Sequence, residues 1–138
     1  MPVFLTRRVA LCASHRLHAP GLSDEENLKI YGKCNNPNGH GHNYVVKVTV
    51  CGDLDPITGM VMNAVDLKNY MKNAVMDTMD HKCIDKDIEY FRTKPSTAEN
   101  IAVYIWEQLK PHMKKEKCSL YKVQLFETEN VEVEYMGP

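Results

Sequence analysis

The sequence of 138 residues predicts an α+β domain in which two helices lie on one face of a four-stranded antiparallel sheet. Four segments alternate apolar and polar residues with the period of two that is typical of half-buried strands. Two longer segments repeat apolar residues with the helical period of about 3.6. The order is strand, loop, strand, helix, helix, strand, strand, without a repeat or a linker, so residues 1–138 are predicted to form a single domain.

The first strand is followed by a long irregular segment. From Val3 the odd positions are apolar apart from Arg7, and His15 continues the same parity. Within HAPGLSDEENLKIYGKCNNPNGHG, Ser23 and, three residues later, Glu26 predict the start of one short helix. A loop of this length in a small domain is usually functional or disordered.

The second strand and the first helix are separated by a turn. The strand HGHNYVVKVTVCG carries its apolar face at alternate positions: Tyr44, Val46, Val48 and Val50. Pro56 and Gly59 predict a turn in DLDPITGM. The segment NAVDLKNYMKNAVMDTMDH then has one apolar stripe at helical spacing: Leu67, Tyr70, Met71, Ala74, Val75 and Met79.

The second helix and the last two strands complete the domain. Ser96 and Glu99 are predicted to form a capping box at the start of STAENIAVYIWEQLKP, and Pro111 ends that helix. Its apolar face consists of Ala102, Ile105 and Leu109. The final strands have their predicted apolar faces at Tyr121, Val123 and Leu125, and at Val131, Val133 and Tyr135. Such an open sheet has two unpaired edges, so assembly by edge pairing is expected.

Composition excludes several classes of protein. A formal charge of −1 and a pI near 6.6 argue against binding to nucleic acid, which rewards an excess of Lys and Arg. No apolar window is long enough to cross a bilayer, so no membrane association is expected. Five cysteines at scattered positions, with no secretory leader, predict free thiols in a reducing compartment and therefore a cytoplasmic location.

Two histidines start the second strand, and a third ends the first. His40 and His42 point to the same side of a strand, and antiparallel pairing would bring His15 beside them. Three imidazoles with an open fourth position form the kind of zinc site that keeps a place for water or for a substrate oxygen. Gly39 and Gly41 leave room for close approach. The alternative is a solvated strand edge, which is the commoner origin of a His-x-His pair.

Cys34 lies six residues before His40, in GKCNNPNGHGHNY. Its thiolate could be a fourth zinc ligand, which would make the site closed and structural. Spacing alone leaves the open and the closed site as alternatives.

Two further sites in the sequence are candidates for proton transfer or for ligand binding. In Asp80–His81 a carboxylate can orient an imidazole and raise its basicity, although adjacent side chains diverge and a histidine at a helix C-terminus is often only a favourable charge. Glu127 shares the parity of the buried face of its strand, where a carboxylate needs partners such as the paired N–H donors of a ligand. Its alternative is a frayed strand end with the side chain in solvent.

With these residues in hand, the sequence resembles the 6-pyruvoyl-tetrahydropterin synthase family over nearly its whole length. The matching motifs occur in order: ASHRL, LSDEENLK, GKCNNPNGHGHNY, DPITGMVMN, DLK, MDHK, STAENIAVYIW and LYKVQLFET. The resemblance implies the tunnelling fold, in which trimers close into a twelve-stranded barrel and two trimers stack into a homo-hexamer with active sites at subunit interfaces. It implies a lyase that converts 7,8-dihydroneopterin triphosphate to 6-pyruvoyl-tetrahydropterin with loss of triphosphate, in tetrahydrobiopterin biosynthesis.

The resemblance also implies a role for each site residue. It implies that Zn²⁺ is bound by His15, His40 and His42. It also implies that Cys34 transfers a proton and that Asp80 and His81 form a relay dyad across a subunit boundary. Glu127 is implied to anchor the pterin. The chemistry agrees, because zinc would acidify the carbon beside bound hydroxyls and a zinc-lowered thiol pKa would make Cys34 a base.

The triphosphate and the rest of the pterin require further contacts. Arg16, next to His15, is the first choice for the triphosphate, followed by Lys33 and Lys82. Mg²⁺ on the triphosphate is implied by the resemblance, although no carboxylate cluster in the sequence supports it.

Thr97 and Glu99 are expected to contact the pterin. Ala98 stands where the family often has a second threonine, so one hydroxyl is missing from that pocket.

Three alternatives compete with this function. The related 6-carboxy-tetrahydropterin synthase shares the histidines, dyad and glutamate, but its cysteine usually lies closer to His-Gly-His than the five intervening residues NNPNG allow here. A Cys34–His81 hydrolase would form a covalent thioester. A zinc-stabilised pterin-binding protein would have no turnover and would unfold without metal.

Overall fold

A computed structural model describes residues 2–138, and in it a five-stranded mixed sheet forms the centre of the fold. The strands are β1 (Val3–His15), β2 (His40–Gly52), β3 (Lys82–Cys83), β4 (Ser119–Thr128) and β5 (Val131–Tyr135). They are ordered β3-β1-β2-β4-β5, with antiparallel neighbours except for β3, which runs parallel to β1. The predicted α+β class is confirmed, but the prediction of four antiparallel strands is wrong. At two residues β3 is too short to have an alternating pattern.

Four of the five helices in the described part of the chain pack against this sheet, and the first lies in the segment between β1 and β2. The helices are α1 (Asp24–Tyr31), α2 (Ala64–Met71), α3 (Asp77–Met79), α4 (Ile84–Asp87) and α5 (Ala98–Leu109). A π-helical segment, Lys72–Met76, joins α2 to α3, so the first long predicted helix is continuous but has one wide turn. Short 3₁₀ segments occupy Gly32–Asn35, Glu89–Arg92 and Lys110–Lys115. None of the helices in residues 2–138 has both the length and the apolar character needed to span a membrane.

One predicted capping box is confirmed and the other is wrong. Ser23 accepts a hydrogen bond from the Glu26 amide, and the Glu26 carboxylate accepts from the Ser23 amide, at the start of α1. At α5 the cap is Thr97, whose hydroxyl accepts from the Asn100 amide at 3.2 Å. Ser96 is fully buried one position earlier, and its hydroxyl bonds elsewhere.

The core lies between the sheet and the helices. α2 packs on β1, while α5 packs on β4 and β5. All six apolar residues predicted for the first helix stripe and all four predicted for β2 are buried. The paired register Leu11↔Tyr44, Val46↔Leu125 and Val48↔Val123 puts the apolar positions of three strands on this one face.

Two β-bulges change the predicted faces of the last strands. On β4, Lys122 pairs with Thr49 and Leu120 with Val50, so Tyr121 is an extra residue. Leu120 therefore points inward in place of Tyr121, whose ring packs on Phe4. The prediction that Tyr121 belongs to the apolar inner face is wrong.

The second bulge lies between β4 and β5. Phe126 pairs with Glu132 and Thr128 with Val131, which leaves Glu127 as the extra residue. The shift exposes Val131, contrary to prediction, while Val133 and Tyr135 remain packed against the core.

The packing predicts a large difference between two leucines in helices. Leu67 on α2 is 1% exposed, whereas Leu28 on α1 is 62% exposed. Leu67→Ala is expected to lower the free energy of unfolding by about 2–5 kcal/mol, because it leaves a cavity in the core. Leu28→Ala is the matched control and is expected to change it by less than about 1 kcal/mol. Chemical denaturation measures both, and equal losses would contradict this account of the core.

Candidate active site and metal centre

The ends of β1 and β2 bring three histidines together. His15 pairs directly with His40, and His42 follows on the same side of β2. The ring centroids are 4.7 Å apart for His15 and His40, 4.9 Å for His40 and His42, and 5.2 Å for His15 and His42. One nitrogen from each ring lies within 4.8 Å of the others. The predicted juxtaposition of the three side chains is therefore present.

The protonation of these rings suits a metal ligand. His15 is 1% exposed, and its Nδ1 lies 2.7 Å from the Ser96 carbonyl oxygen, which makes Nδ1 the donor and leaves Nε2 as the acceptor. Burial lowers the pKa of His15 and that of His42, so both rings stay neutral near pH 7. The neighbouring Tyr44 hydroxyl has its pKa raised by burial and remains protonated.

An unpaired nitrogen tests whether a metal ion fits here. His42 Nε2 is buried and makes no hydrogen bond. The Glu127 carboxylate is the nearest acidic group to it, at 3.9 Å, beyond hydrogen-bond range. Buried polar atoms are rarely left without partners, so three converging imidazoles with one such nitrogen fit a divalent cation of borderline softness.

Gly39 is required by the backbone beside the cluster. Its φ is +75°, and a Cβ there would lie 2.9 Å from the His15 carbonyl oxygen. A side chain would force β1 and the loop apart. At Gly41 a Cβ would lie 3.4 Å from the Ala13 oxygen, which is ordinary contact, so the expectation of close approach holds for Gly39 and not for Gly41.

Hydrogen bonds join the Cys34 segment to the backbone just after His15. Its carbonyl accepts from the Leu17 amide at 3.0 Å, and the side chain of the next residue, Asn35, donates to the Leu17 carbonyl at 2.7 Å. The Cys34 thiol is half-buried. Among residues 2–138, the group that could hold a metal consists of the three histidines and does not include Cys34. This geometry favours the open site over the closed one.

Asp80 and His81 do form a pair, although adjacent side chains normally diverge. His81 has a φ of +62°, and its Nδ1 lies 2.9 Å from Asp80 Oδ2. The other Asp80 oxygen accepts from the Cys12 amide at 2.9 Å, the main cause of the lowered pKa of that carboxyl. The His81 side chain is 82% exposed, and within residues 2–138 no hydrogen bond or ion pair joins it to the three histidines.

The bulge at Glu127 aims its carboxylate towards the histidine cluster. Glu127 is half-buried, with its Oε1 3.9 Å from His42 Nε2. Bulges beside functional sites commonly redirect one side chain in this way.

The cationic residues divide between the surface and a cleft of about 380 Å³. Arg16 lies in the cleft, where its guanidinium donates to the Asn35 backbone oxygen at 2.8 Å. Lys86 and Arg92 line the same cleft, and sequence reasoning missed both because isolated charges far apart in the chain carry no pattern. Lys33 and Lys82 are exposed and do not line it.

The two residues expected to contact a pterin are placed differently. Thr97 is half-buried at the start of α5 and uses one lone pair as the helix cap. Glu99 is exposed in the first turn of that helix.

Comparison with known proteins identifies the family. A family model described as 6-pyruvoyl tetrahydropterin synthase matches residues 4–138. The chain belongs to the 6-pyruvoyl tetrahydropterin synthase family. A human protein named 6-pyruvoyl tetrahydrobiopterin synthase is 56% identical to the chain, over 96% of this chain and 90% of the human one. The solved structure of Caenorhabditis elegans 6-pyruvoyl tetrahydropterin synthase superposes with a TM-score of 0.95 at 46% identity, covering 100% of this chain and 97% of that one.

A protein with the alternative name is more distant. A 6-carboxy-5,6,7,8-tetrahydropterin synthase from Rickettsia bellii is 29% identical, over 94% of this chain and 96% of that protein. This lower identity favours the pyruvoyl family over the 6-carboxy alternative.

The lowered histidine pKa values predict how the metal-free protein responds to acid. An unfolded histidine has a pKa near 6.5, and the folded pKa of His15 and His42 lies below it, so the unfolded state binds more protons as pH falls. Stability of metal-free protein is expected to decrease as the pH falls from about 6.5 through the folded values. Thermal unfolding across this range measures it. His42→Asn should flatten the dependence and His112→Gln, the control, should not; an unchanged slope in His42→Asn would contradict the assignment.

Proposed function

We propose that residues 1–138 form one zinc-dependent synthase domain that converts 7,8-dihydroneopterin triphosphate to 6-pyruvoyl-tetrahydropterin, with elimination of triphosphate, in tetrahydrobiopterin biosynthesis. The observation that carries the proposal is the cluster of His15, His40 and His42, with the buried and unpaired Nε2 of His42, in a chain of this family. The free thiols of the five cysteines suit a cytoplasmic location.

The three histidines would hold Zn²⁺ and leave a position open for substrate. Neutral imidazoles in the number seen here are the donor set of catalytic zinc sites. Bound zinc supplies Lewis acidity to the hydroxyls of the substrate side chain and so acidifies the adjoining carbon.

Cys34 and the Asp80–His81 pair would move the protons. Cys34 is half-buried beside the end of β1, outside the metal-binding group, so its thiol is available as a base that takes a proton from carbon. The Asp80 carboxylate accepts one hydrogen bond from the Cys12 amide of β1 and one from the His81 imidazole. These two bonds hold the imidazole in one orientation for proton transfer.

Glu127, Thr97 and Glu99 would contact the pterin ring. The Glu127 carboxylate has two oxygens that can accept from the amino group and ring N–H of a pterin, a bidentate pairing. Thr97 accepts from the Asn100 amide with its hydroxyl oxygen and keeps its own O–H to donate. Glu99 is exposed, so its carboxylate would be free to accept from the pterin.

The triphosphate would lie near Arg16. The cleft beside His15 has three cationic side chains, Arg16, Lys86 and Arg92, against one carboxylate, Asp85, so its lining suits a polyanion. Lys33 does not line this cleft but shares a second one with Arg16. Mg²⁺ would accompany the phosphates as part of the substrate.

We further propose a homo-hexamer of two stacked trimers, with each trimer closed into a barrel. β3 and β5 are open edges of the sheet, and pairing between copies would remove them. Among residues 2–138, the exposed His81 ring pairs with no acid other than Asp80, which suits a dyad that serves a neighbouring subunit.

Replacing Cys34 tests the proposal. Cys34→Ala is expected to bind zinc as tightly as the wild type but to lose activity on dihydroneopterin triphosphate by about a hundredfold or more, because a positioned base is lost. Zinc is measured by chelator competition and products by chromatography. The matched control is Cys51→Ala, a half-buried free cysteine outside the cleft, which should retain both.

Other outcomes of this assay would favour the alternatives. Release of acetaldehyde would indicate the 6-carboxy chemistry. A trapped Cys34 thioester in the mass spectrum would indicate a hydrolase. Absence of turnover in a protein that unfolds when zinc is removed would indicate a binding protein.

Glu127 should affect recognition of the pterin. Glu127→Gln removes one acceptor and the negative charge, and hydrogen bonds to charged groups contribute about 1.5–3 kcal/mol, so kcat/KM is expected to fall by roughly tenfold to a hundredfold. Glu129→Gln, two residues further on and exposed, is the control and should change little. Wild-type kcat/KM in the Glu127 variant would exclude it as the pterin anchor.

A further inference from the structure

We propose that Asp85, acting through Ser96, is a positioning residue that fixes the orientation of His15 in the metal centre. This inference rests on the metal site proposed above. Neither residue is among the site residues expected from the sequence, and hydrogen bonds join them to His15, to Arg16 and to each other.

The contacts form a closed ring. His15 Nδ1–H donates to the Ser96 carbonyl at 2.7 Å, and the Ser96 hydroxyl donates to Asp85 Oδ1 at 2.5 Å. Asp85 Oδ2 accepts from the backbone N–H of Arg16 at 2.5 Å. Since Arg16 is bonded covalently to His15, the chain of contacts returns to the residue from which it starts. It therefore holds both the imidazole and the backbone of His15.

Burial makes these bonds effective. Ser96 is 0% exposed and His15 1% exposed, so water does not compete for the carbonyl or for the imidazole. Hydrogen bonds to a carboxylate are short and roughly twice as strong as neutral ones. Partners that hold the distal nitrogen of a ligating histidine typically change metal affinity or activity by about tenfold to a hundredfold when they are removed.

Three elements of the fold meet at this ring. β3 pairs with β1 at Ala13 and Ser14, and α4 follows β3 directly, which places Asp85 opposite the end of β1. Ser96 precedes the cap of α5. The two-residue strand thus has a local role, because it sets the distance between Asp85 and the strand that carries His15.

Metal-free wild type and variants would be titrated with Zn²⁺ against a chromophoric chelator, and Co²⁺ would be added as a spectroscopic probe of ligand geometry. Asp85→Ala and Ser96→Ala keep the Ser96 carbonyl that accepts from His15 but remove the bond that holds Ser96 in place. They are therefore expected to bind Zn²⁺ more weakly by up to about tenfold and to alter the visible Co²⁺ bands. Asp85→Asn should recover part of the affinity, since an amide oxygen can accept from Arg16 N–H while its NH₂ donates to the Ser96 hydroxyl.

Asp87→Ala is the matched control. Asp87 lies in the same short helix and also accepts a backbone hydrogen bond, from Cys83 at 2.8 Å, but it has no bond to Ser96 or Arg16. It should leave the Zn²⁺ affinity and the Co²⁺ spectrum unchanged. Thermal unfolding of each metal-free variant separates a local effect from a loss of folding.

A second measurement needs no metal. Nitrogen NMR of the imidazoles at neutral pH is expected to show His15 as the Nδ1–H tautomer in the wild type. Asp85→Ala is expected to show a smaller excess of that tautomer, because the Ser96 carbonyl that accepts from Nδ1 is held less firmly. Wild-type affinity, Co²⁺ spectrum and tautomer in Asp85→Ala and Ser96→Ala would overturn the inference. Failure of wild-type protein to bind Zn²⁺ would instead overturn the proposed metal site, and the tautomer would then decide the role of Asp85 alone.

Discussion

The antiparallel register of β1 and β2 is the constraint on which the site depends. It pairs thirteen positions from Val3↔Gly52 to His15↔His40 and so brings two members of the histidine cluster, His15 and His40, face to face at the end of the ladder. A slip of one residue would turn every side chain of one strand to the opposite face. The same pairing that buries Leu11 against Tyr44 in the core therefore orients the imidazoles two and four residues away, and stability and site geometry are coupled through one ladder.

Much of this arrangement can be predicted from the sequence, because long strands and helices have a period. The alternation in β1 and β2 and the stripe from Leu67 to Met79 fix which residues enter the core, and the parity of His40 and His42 then gives the cluster. β3 could not be found in this way, since two residues have no period. The bulges at Tyr121 and Glu127 were equally invisible, because a single inserted residue changes the pairing partner without changing the local pattern.

The candidate site likewise contains residues that the sequence predicts and residues that it does not. The sequence indicates the residues whose chemistry is distinctive, namely histidine, cysteine and a carboxylate on an apolar face. It does not indicate Asp85, Ser96 or Lys86, which are ordinary surface or capping residues until α4, the Ser96 loop and β1 meet in space. Ser96 in particular fits the pattern of a helix cap, but its neighbour Thr97 takes that place, and the buried hydroxyl is left for Asp85.

The wide turn at Lys72–Met76 has a consequence for how this chain can vary through evolution. A π-helical turn holds one residue more than an α-helical turn, and removing that residue would rotate everything after it by about 100°. Asp80 would then leave the Cys12 amide, and the left-handed His81 would leave its carboxylate. An exposed position of the turn such as Asn73 can change in identity, whereas the number of residues between the start of α2 and Asp80 cannot change.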